Sequence, residues 1–205
     1  MTTPPTTRTG RIVILSGPSG SGKSRLAARL SARYGWPVVG LDDFYRNGDD
    51  PELPIQEELG IPDWDDPRAW DGEAAVDALT RLVTTGRTDT PVYDISTSTA
   101  VDTREVVSDG RGLILAEGIF AAEIVPTLRS RGLLHSAWCV RHRRGVTFAL
   151  RLARDLRERR KPPATLVKRG ILLMREEPRV IARDVLLGCR AARAREVERA
   201  LTPSD

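Results

Sequence analysis

Arg11-Ile12-Val13-Ile14-Leu15-Ser16-Gly17-Pro18-Ser19-Gly20-Ser21-Gly22-Lys23-Ser24 is the stretch that decides the fold. Arg11 to Ser16 is rich in β-branched and aliphatic residues, the composition of a strand buried in a parallel sheet. It passes directly into Gly17–Ser24, which matches G-x-x-x-x-G-K-S in full. Leu26, Ala27, Leu30 and Tyr34 then recur at helical spacing. Strand, glycine-rich loop, helix is the order that a phosphate-binding loop requires. Gly17, Gly20 and Gly22, with Pro18, Ser19 and Ser21 between them, let backbone N–H groups turn inward around phosphate oxygens. The helix beginning near Lys23 adds its positive N-terminal dipole. Lys23 can reach the β- and γ-phosphates of a nucleotide, and the Ser24 hydroxyl can bind Mg²⁺.

Outward from this loop, strands alternate with helices. Pro37 to Leu41 reads as a second strand. Arg46 to Trp70 reads as a loop rich in Pro, Asp and Glu. Gly72 to Thr85 has Val76, Leu79, Leu82 and Val83 on one helical face. Pro91 to Ile95 and Glu105 to Val107 read as two strands of a hairpin or excursion. Gly112 to Ala116 is another apolar strand, ending at Glu117-Gly118. A short helix over Ile124 to Arg131 and a strand over Leu134 to Val140 follow. A long basic helix is predicted from about Val146 to Arg160, broken by Pro162-Pro163. The chain closes with a helix to about Ala182, a strand at Val185 to Leu187 and a helix near Ala191 to Leu201. This alternation predicts an α/β fold with a mainly parallel sheet and helices on both faces. The organisation expected is a polar, disordered tail over residues 1–10 and a single domain over 11–205.

The 205 residues are 40% hydrophobic, enough for one sizeable core. Apolar runs fall far short of the ~20 residues a membrane-spanning helix needs. No secretory signal is seen, and Cys139 and Cys189 make no disulfide framework, so a reducing cytoplasm is the simple expectation. The net charge of +4 hides an asymmetry: residues 1–100 balance to −5 and residues 101–205 to +9. Arg141 to Lys161 holds nine basic groups against two acidic ones. That density points to an anionic partner. A nucleic-acid-binding protein is one reading of it, but the basic half lacks an aromatic stacking array or a recognised nucleic-acid module. Only three basic residues are lysines, namely Lys23, Lys161 and Lys168. Guanine-reading GTPases use Asn-Lys-x-Asp, and the single Asn here, Asn47, sits in no such setting. A small-molecule kinase fits the length best.

Such a kinase needs a carboxylate near Mg²⁺ and a group that orients the attacking hydroxyl. Asp42 and Asp43 follow the second strand, where an open α/β sheet presents residues to its ligand, and either could serve. Glu117 ends an apolar strand, the placement of a Walker B acid that holds Mg²⁺ directly or through water. His135 and His142 have no partners at metal-ligand spacing. Trp36, Trp64, Trp70 and Trp138 read mostly as packing residues, with Trp64 the best candidate to stack on a base. The two cysteines read as buried thiols.

Taken together, these segments resemble the uridine kinase family. Leu41-Asp42-Asp43-Phe44-Tyr45-Arg46 resembles its D-x-F-Y-R, and Trp64-Asp65-Asp66-Pro67-Arg68-Ala69-Trp70-Asp71 its F-D-H-P-D-A-F-D. Pro91-Val92-Tyr93-Asp94 is similar to P-x-Y-D, and Leu115-Ala116-Glu117-Gly118-Ile119 to L-x-E-G-I. Arg154-Asp155-Leu156-Arg157-Glu158-Arg159 resembles the lid's R-D-x-x-E-R, and Glu177-Pro178 with Asp184-Val185-Leu186-Leu187 the late E-P…D-I-I-I. The likeness runs from Arg11 to about Leu187 in the family's order.

The resemblance implies a three-layer P-loop NTPase fold with a basic helical lid over about residues 151–164. It implies transfer of the γ-phosphate of ATP or GTP, with Mg²⁺, to the 5′-hydroxyl of a ribonucleoside such as uridine or cytidine. Asp42 falls on the catalytic carboxylate, which also places it beside Ser24 and Glu117 at the metal. Asp65 falls where the ribose hydroxyls bind. Tyr45, Trp64, Tyr93 and Arg151 fall among substrate contacts. Arg154, Arg159 and Lys161 fall in the lid that closes over phosphates and substrate. Its members often form homo-oligomers, and the implied role is pyrimidine salvage. The family's base-reading Phe and His correspond here to Ile95 and Ser98, its acidic D-x-D to Arg141-His142-Arg143, and its lid glycine to Arg160. Phosphotransfer is therefore the firmer expectation. A different nucleoside, a sugar phosphate or another hydroxy compound is the alternative acceptor.

Overall fold

A computed structural model describes residues 11–57, 60–110, 112–142 and 163–202, with 163–173 described in backbone only. The expected tail (1–10) and most of the expected basic helix and lid lie outside these residues. The sheet starts from β1 (Ile12–Ser16), which is wholly buried. Its side chains alternate between two separate apolar clusters, as a strand's two-residue period demands. Ile12 and Ile14 enter one, Val13 and Leu15 the other. The first cluster is completed by Ala75, Val76, Ala78, Leu79 and Leu82 of α2 (Gly72–Thr85) and by Val125 and Leu128 of α3 (Val125–Ser130). The second is completed by Leu26, Ala27 and Leu30 of α1 (Lys23–Tyr34) and by Val197 and Leu201 of the C-terminal helix (Ala194–Leu201). Helices thus cover both faces of the sheet, giving three layers.

The main sheet has five strands in the order β2-β7-β1-β8-β9, all pairings parallel. Its members besides β1 are β2 (Val38–Gly40), β7 (Ile114–Glu117), β8 (Leu134–Val140) and β9 (Arg190–Ala192). Because the strands are parallel, their carboxyl ends gather along one edge, and ligands of such sheets bind there. Leu15 and Gly40 are both in register with Glu117. The phosphate loop, the Asp42 turn and Glu117 therefore emerge side by side.

Two small antiparallel ribbons stand apart from this sheet. β3 (Ile55–Gln56) pairs with β4 (Ile61–Pro62) inside the long acidic loop. β5 (Arg87–Asp94) pairs with β6 (Thr99–Val107) across a turn at Ser98, whose φ is +54°. The hairpin expectation was right in kind and too short in extent. Exposed ribbon strands carry many polar residues, so hydrophobic patterning marks only fragments of them.

The C-terminal reading needs correction. Val185 to Leu187 is not a strand: α4 (Pro163–Leu186) runs through it, and the strand comes later, at Arg190–Ala192. Val185 and Leu186 are 46% and 87% exposed, and only Leu187 of this run packs against the core. Short apolar runs do not distinguish strand from helix by periodicity. The helix stops at Gly188, whose φ of +99° suits glycine and lets Cys189 N–H donate to the Asp184 carbonyl at 2.9 Å. Pro163 opens α4, where its missing N–H costs nothing. Smaller shifts are that Ala121–Ile124 forms a 3₁₀ turn before α3, that β7 includes Glu117, and that the last helix (α5) begins at Ala194.

Candidate active site

The loop after β1 wraps the start of α1. Gly17 has φ +130°, and a Cβ there would collide with the Val140 carbonyl oxygen at the end of β8. Only glycine lets the loop lie this close to the sheet. Gly22, at φ +96°, is the N-cap of α1 and offers no capping side chain, leaving the first N–H groups of the helix to a ligand. Pro18 and Ser21 are buried, whereas Ser19, Gly20 and Gly22 are half-buried and Ser24 is exposed. Lys23 is buried, and its Nζ donates to the carbonyls of Gly17 at 3.0 Å and Pro18 at 3.4 Å. Burial pushes the lysine's pKa down; Asp42, Glu117 and Asp184 oppose this.

Asp42 sits in the 3₁₀ turn Leu41–Phe44 that follows β2. Its Oδ1 accepts a hydrogen bond from the Ile119 N–H at 2.8 Å. A Cβ on Gly118 would lie 2.8 Å from that same oxygen and 2.9 Å from Leu41 Cβ. The Glu117-Gly118-Ile119 corner thus clamps Asp42, and glycine is what makes room for it. Trp70 braces the other side of the turn, its indole N–H donating to the Leu41 carbonyl at 2.6 Å.

Glu117 lies beside the Ser24 hydroxyl and close to Lys23 and Asp42. Burial raises its pKa, against the pull of Lys23 and Ser24. Its Oε2 is buried without a hydrogen-bond partner. An orphaned carboxylate oxygen next to a serine hydroxyl is a hard-oxygen donor set of the kind Mg²⁺ takes. Among the described residues, no cluster of three or more His, Cys, Asp or Glu could hold a metal.

Beside Asp42 is an aromatic cluster centred on Tyr45. Its ring lies 5.9 Å from Trp64, 5.8 Å from Tyr93 and 6.0 Å from Phe120. The Tyr45 hydroxyl donates to the Trp64 carbonyl at 3.2 Å. Burial first, then the charges of Asp42 and Asp65, push the Tyr45 pKa well up, so both carboxylates act on this ring. Trp64 is half-buried and Asp65 exposed, while Trp36, Trp70 and Trp138 are core residues. Both cysteines are free and buried, as read from the sequence.

The structure therefore brings together Lys23, Ser24, Asp42 and Glu117, with Tyr45, Trp64, Asp65 and Tyr93 alongside. Arg151, Arg154, Arg159 and Lys161 lie outside the described residues. Sequence reasoning missed three participants. The Gly118-Ile119 corner carried a signal, since it directly follows the strand-end acid. Asp184, fully buried against the Ser16 hydroxyl and the Cys139 thiol, was noted only as part of a family-like segment and given no role. Asp43 was weighed solely as an alternative to Asp42.

A parallel sheet with a phosphate loop on its central strand and carboxylates at the ends of the neighbouring strands is the architecture of a P-loop nucleotide-binding protein. The sequence model of the Phosphoribulokinase / Uridine kinase family matches residues 12–168. The chain belongs to that family, whose members are phosphotransferases acting on a hydroxyl group. It is 26% identical over 167 residues to a uridine kinase of Macrococcus caseolyticus, covering 80% of this chain and 78% of that one. It is 34% identical over 121 residues to a uridine kinase of Saccharomyces cerevisiae, covering 58% of this chain. The match spans only 24% of the yeast protein's length. Among solved structures, a Silicibacter protein described as a fructose transport system kinase is similar at TM-score 0.59 and 19% identity, over 88% of each chain. A D-glycerate 3-kinase of Cryptococcus neoformans is similar at TM-score 0.52 and 14% identity, over 84% of this chain and 78% of the other. These two likenesses are of fold. No described helix is long and apolar enough to cross a membrane.

Proposed function

We propose that the protein transfers the γ-phosphate of ATP to the 5′-hydroxyl of a ribonucleoside, uridine or cytidine first. The observation that carries this reading is Asp42, held by the Ile119 N–H, between the phosphate-loop lysine on one side and the Tyr45 aromatic cluster on the other. One Asp42 oxygen is fixed by the backbone, and the other is left to accept the proton of the attacking hydroxyl. Tyr45, Trp64 and Tyr93 supply flat apolar surface for a base, and Asp65 accepts the ribose hydroxyls. Lys23 exchanges its two loop carbonyls for phosphate oxygens when nucleotide arrives. Ser24, Glu117 and Asp42 are the residues that would hold Mg²⁺, which supplies neutralisation of the charge on the transferring phosphoryl group. Arg151, Arg154, Arg159 and Lys161 complete the proposal as a lid that adds cations and excludes water.

A second reading has its own observation. Ile95, which stands where a base-reading Phe is expected, is 70% exposed at the ribbon's tip, and Ser98 has no imidazole to offer a pyrimidine. A site without that hydrogen-bond partner discriminates bases poorly. An acceptor such as another nucleoside, a sugar phosphate or a hydroxy acid fits this tip as well. The deciding experiment is a screen for ADP release with Mg-ATP, repeated with Mg-GTP. Its acceptors are ribonucleosides, deoxyribonucleosides, sugar phosphates and small hydroxy acids. Turnover confined to ribonucleosides upholds the first reading, and turnover confined to non-nucleosides replaces it with the second.

A further inference from the structure

Asp43 neighbours Asp42 but points to different work. Its carboxylate bridges both strands of the β5–β6 ribbon. Oδ1 accepts the Tyr93 N–H of β5 at 3.4 Å, and Oδ2 accepts the Arg104 guanidinium of β6 at 3.1 Å. The Asp43 side chain is 26% exposed and that of Arg104 60%. Three further bonds fasten the same ribbon to the chain that follows Asp43. The Tyr93 hydroxyl donates to the Arg46 carbonyl at 3.0 Å, and the Ala100 N–H to Asn47 Oδ1 at 2.9 Å. The Gly48 N–H donates to the Ser98 carbonyl at 2.7 Å. Packing is tight beneath Asp43, since a Cβ on Gly40 would lie 3.1 Å from its Oδ2.

An exposed ion pair is ordinarily worth little, because water and salt screen it. Here the carboxylate is mostly shielded, is shared with a backbone N–H, and joins elements that share no strand pairing. We infer that Asp43 is a positioning residue that seats the β5–β6 ribbon on the turn carrying Asp42, so that Tyr93 and Asp42 are held as one body around the acceptor. Loss of this latch loosens acceptor binding and leaves the phosphate loop's own bonds in place, because that loop makes none of these contacts. The inference deepens the proposed kinase function and rests on it for the acceptor, whereas the seating of the ribbon does not.

The test uses Asp43→Ala, Arg104→Leu and their double variant, with Arg104→Lys as the conservative control. Kinetics are measured with uridine and Mg-ATP. Amide hydrogen exchange over residues 87–107 is measured with no substrate. The expected result is a rise of roughly tenfold in the uridine KM of each single variant with the ATP KM unchanged. The double variant should be no worse than Asp43→Ala alone, because Arg104 acts on the ribbon through Asp43. Arg104→Lys should recover most of the loss, and ribbon amides should exchange faster in Asp43→Ala and Arg104→Leu. An unchanged uridine KM, additive single effects, or a parallel rise in ATP KM overturns the inference. If the parent protein turns over no nucleoside, the acceptor reading has failed, and exchange alone decides the latch. Unaltered ribbon exchange in both single variants then overturns it, and faster exchange upholds it.

Discussion

In the proposed reaction Asp42 is a single side chain asked to do two things: stay oriented and take a proton. The Ile119 N–H does the orienting, which separates this residue's contribution from nucleotide binding. Asp42→Ala is therefore expected to lower turnover by about 10²- to 10⁴-fold, the usual contribution of a positioned base. ATP affinity, measured by titration calorimetry, should change little. Near-parental turnover would rule out the assignment. Lys23→Ala should differ in kind. Its ammonium is buried among Gly17, Pro18, Asp42 and Glu117, and its proposed partner is the phosphate chain itself. Both ATP affinity and turnover should fall, turnover by about 10²-fold or more, as when a preorganised electrostatic donor is removed. Unchanged values for both would exclude the phosphate-loop role. The surroundings of Lys23 were legible because the loop's glycine pattern prescribes its geometry locally. Strand-end placement marked Asp42 and Asp43 alike, and only the family resemblance separated them. What the sequence did not disclose was the Ile119 N–H, which lies 77 positions from Asp42 and meets it only through strand register.

Among elements, the corner after β7 leaves little room beside Asp42. Gly118→Ala would put a methyl group 2.8 Å from Asp42 Oδ1 and 2.9 Å from the Cβ of Leu41, a fully buried residue with little room to move. The expected outcome is a stable protein with strongly reduced kcat and ordinary ATP affinity, read by thermal unfolding and kinetics together. A kcat within twofold of the parent, given that about 1 Å of misplacement costs about 100-fold, would show that the corner does not position Asp42. Helix α2 was read correctly from its apolar face, and its start is fixed by Asp71, which caps the Ala74 N–H at 2.9 Å. Removing that cap by Asp71→Ala should cost about 1 kcal/mol of stability in denaturant unfolding. The β5–β6 ribbon was only half legible. Its strands face solvent over much of their length, and its ties to residues 43–48 join positions some 50 apart. The end of α4 was misread because Val185-Leu186-Leu187 resembles a buried strand until its exposure is known.

For the molecule as a whole, Asp184 links helix α4 to the end of β1, where the phosphate loop begins. It is fully buried, and burial raises its pKa against the opposing influence of Ser16, Cys139, Arg183 and Lys23. Between the ordinary carboxylate value and this raised one, the native protein keeps a proton that the unfolded chain has released. Stability therefore falls as pH rises through that window. Asp184→Asn removes this loss, so its thermal midpoint should gain on the parent's as pH is raised from about 4 toward neutrality. A midpoint difference that does not vary with pH would show that the carboxylate is not titrating in the fold. The sequence could not foretell this, because helix and strand readings of residues 184–187 place the side chain in different surroundings.

The separateness of the β5–β6 ribbon has a consequence for the exchange of acceptors. The five-stranded sheet closes around the phosphate loop without borrowing a strand from it. Substitutions, insertions or wholesale replacement in the ribbon, such as the departure at Ile95 and Ser98, leave every sheet pairing intact. If the ribbon faces the acceptor as proposed, exchanging one acceptor for another requires change only in this peripheral module and leaves the sheet that carries the phosphate loop unaltered.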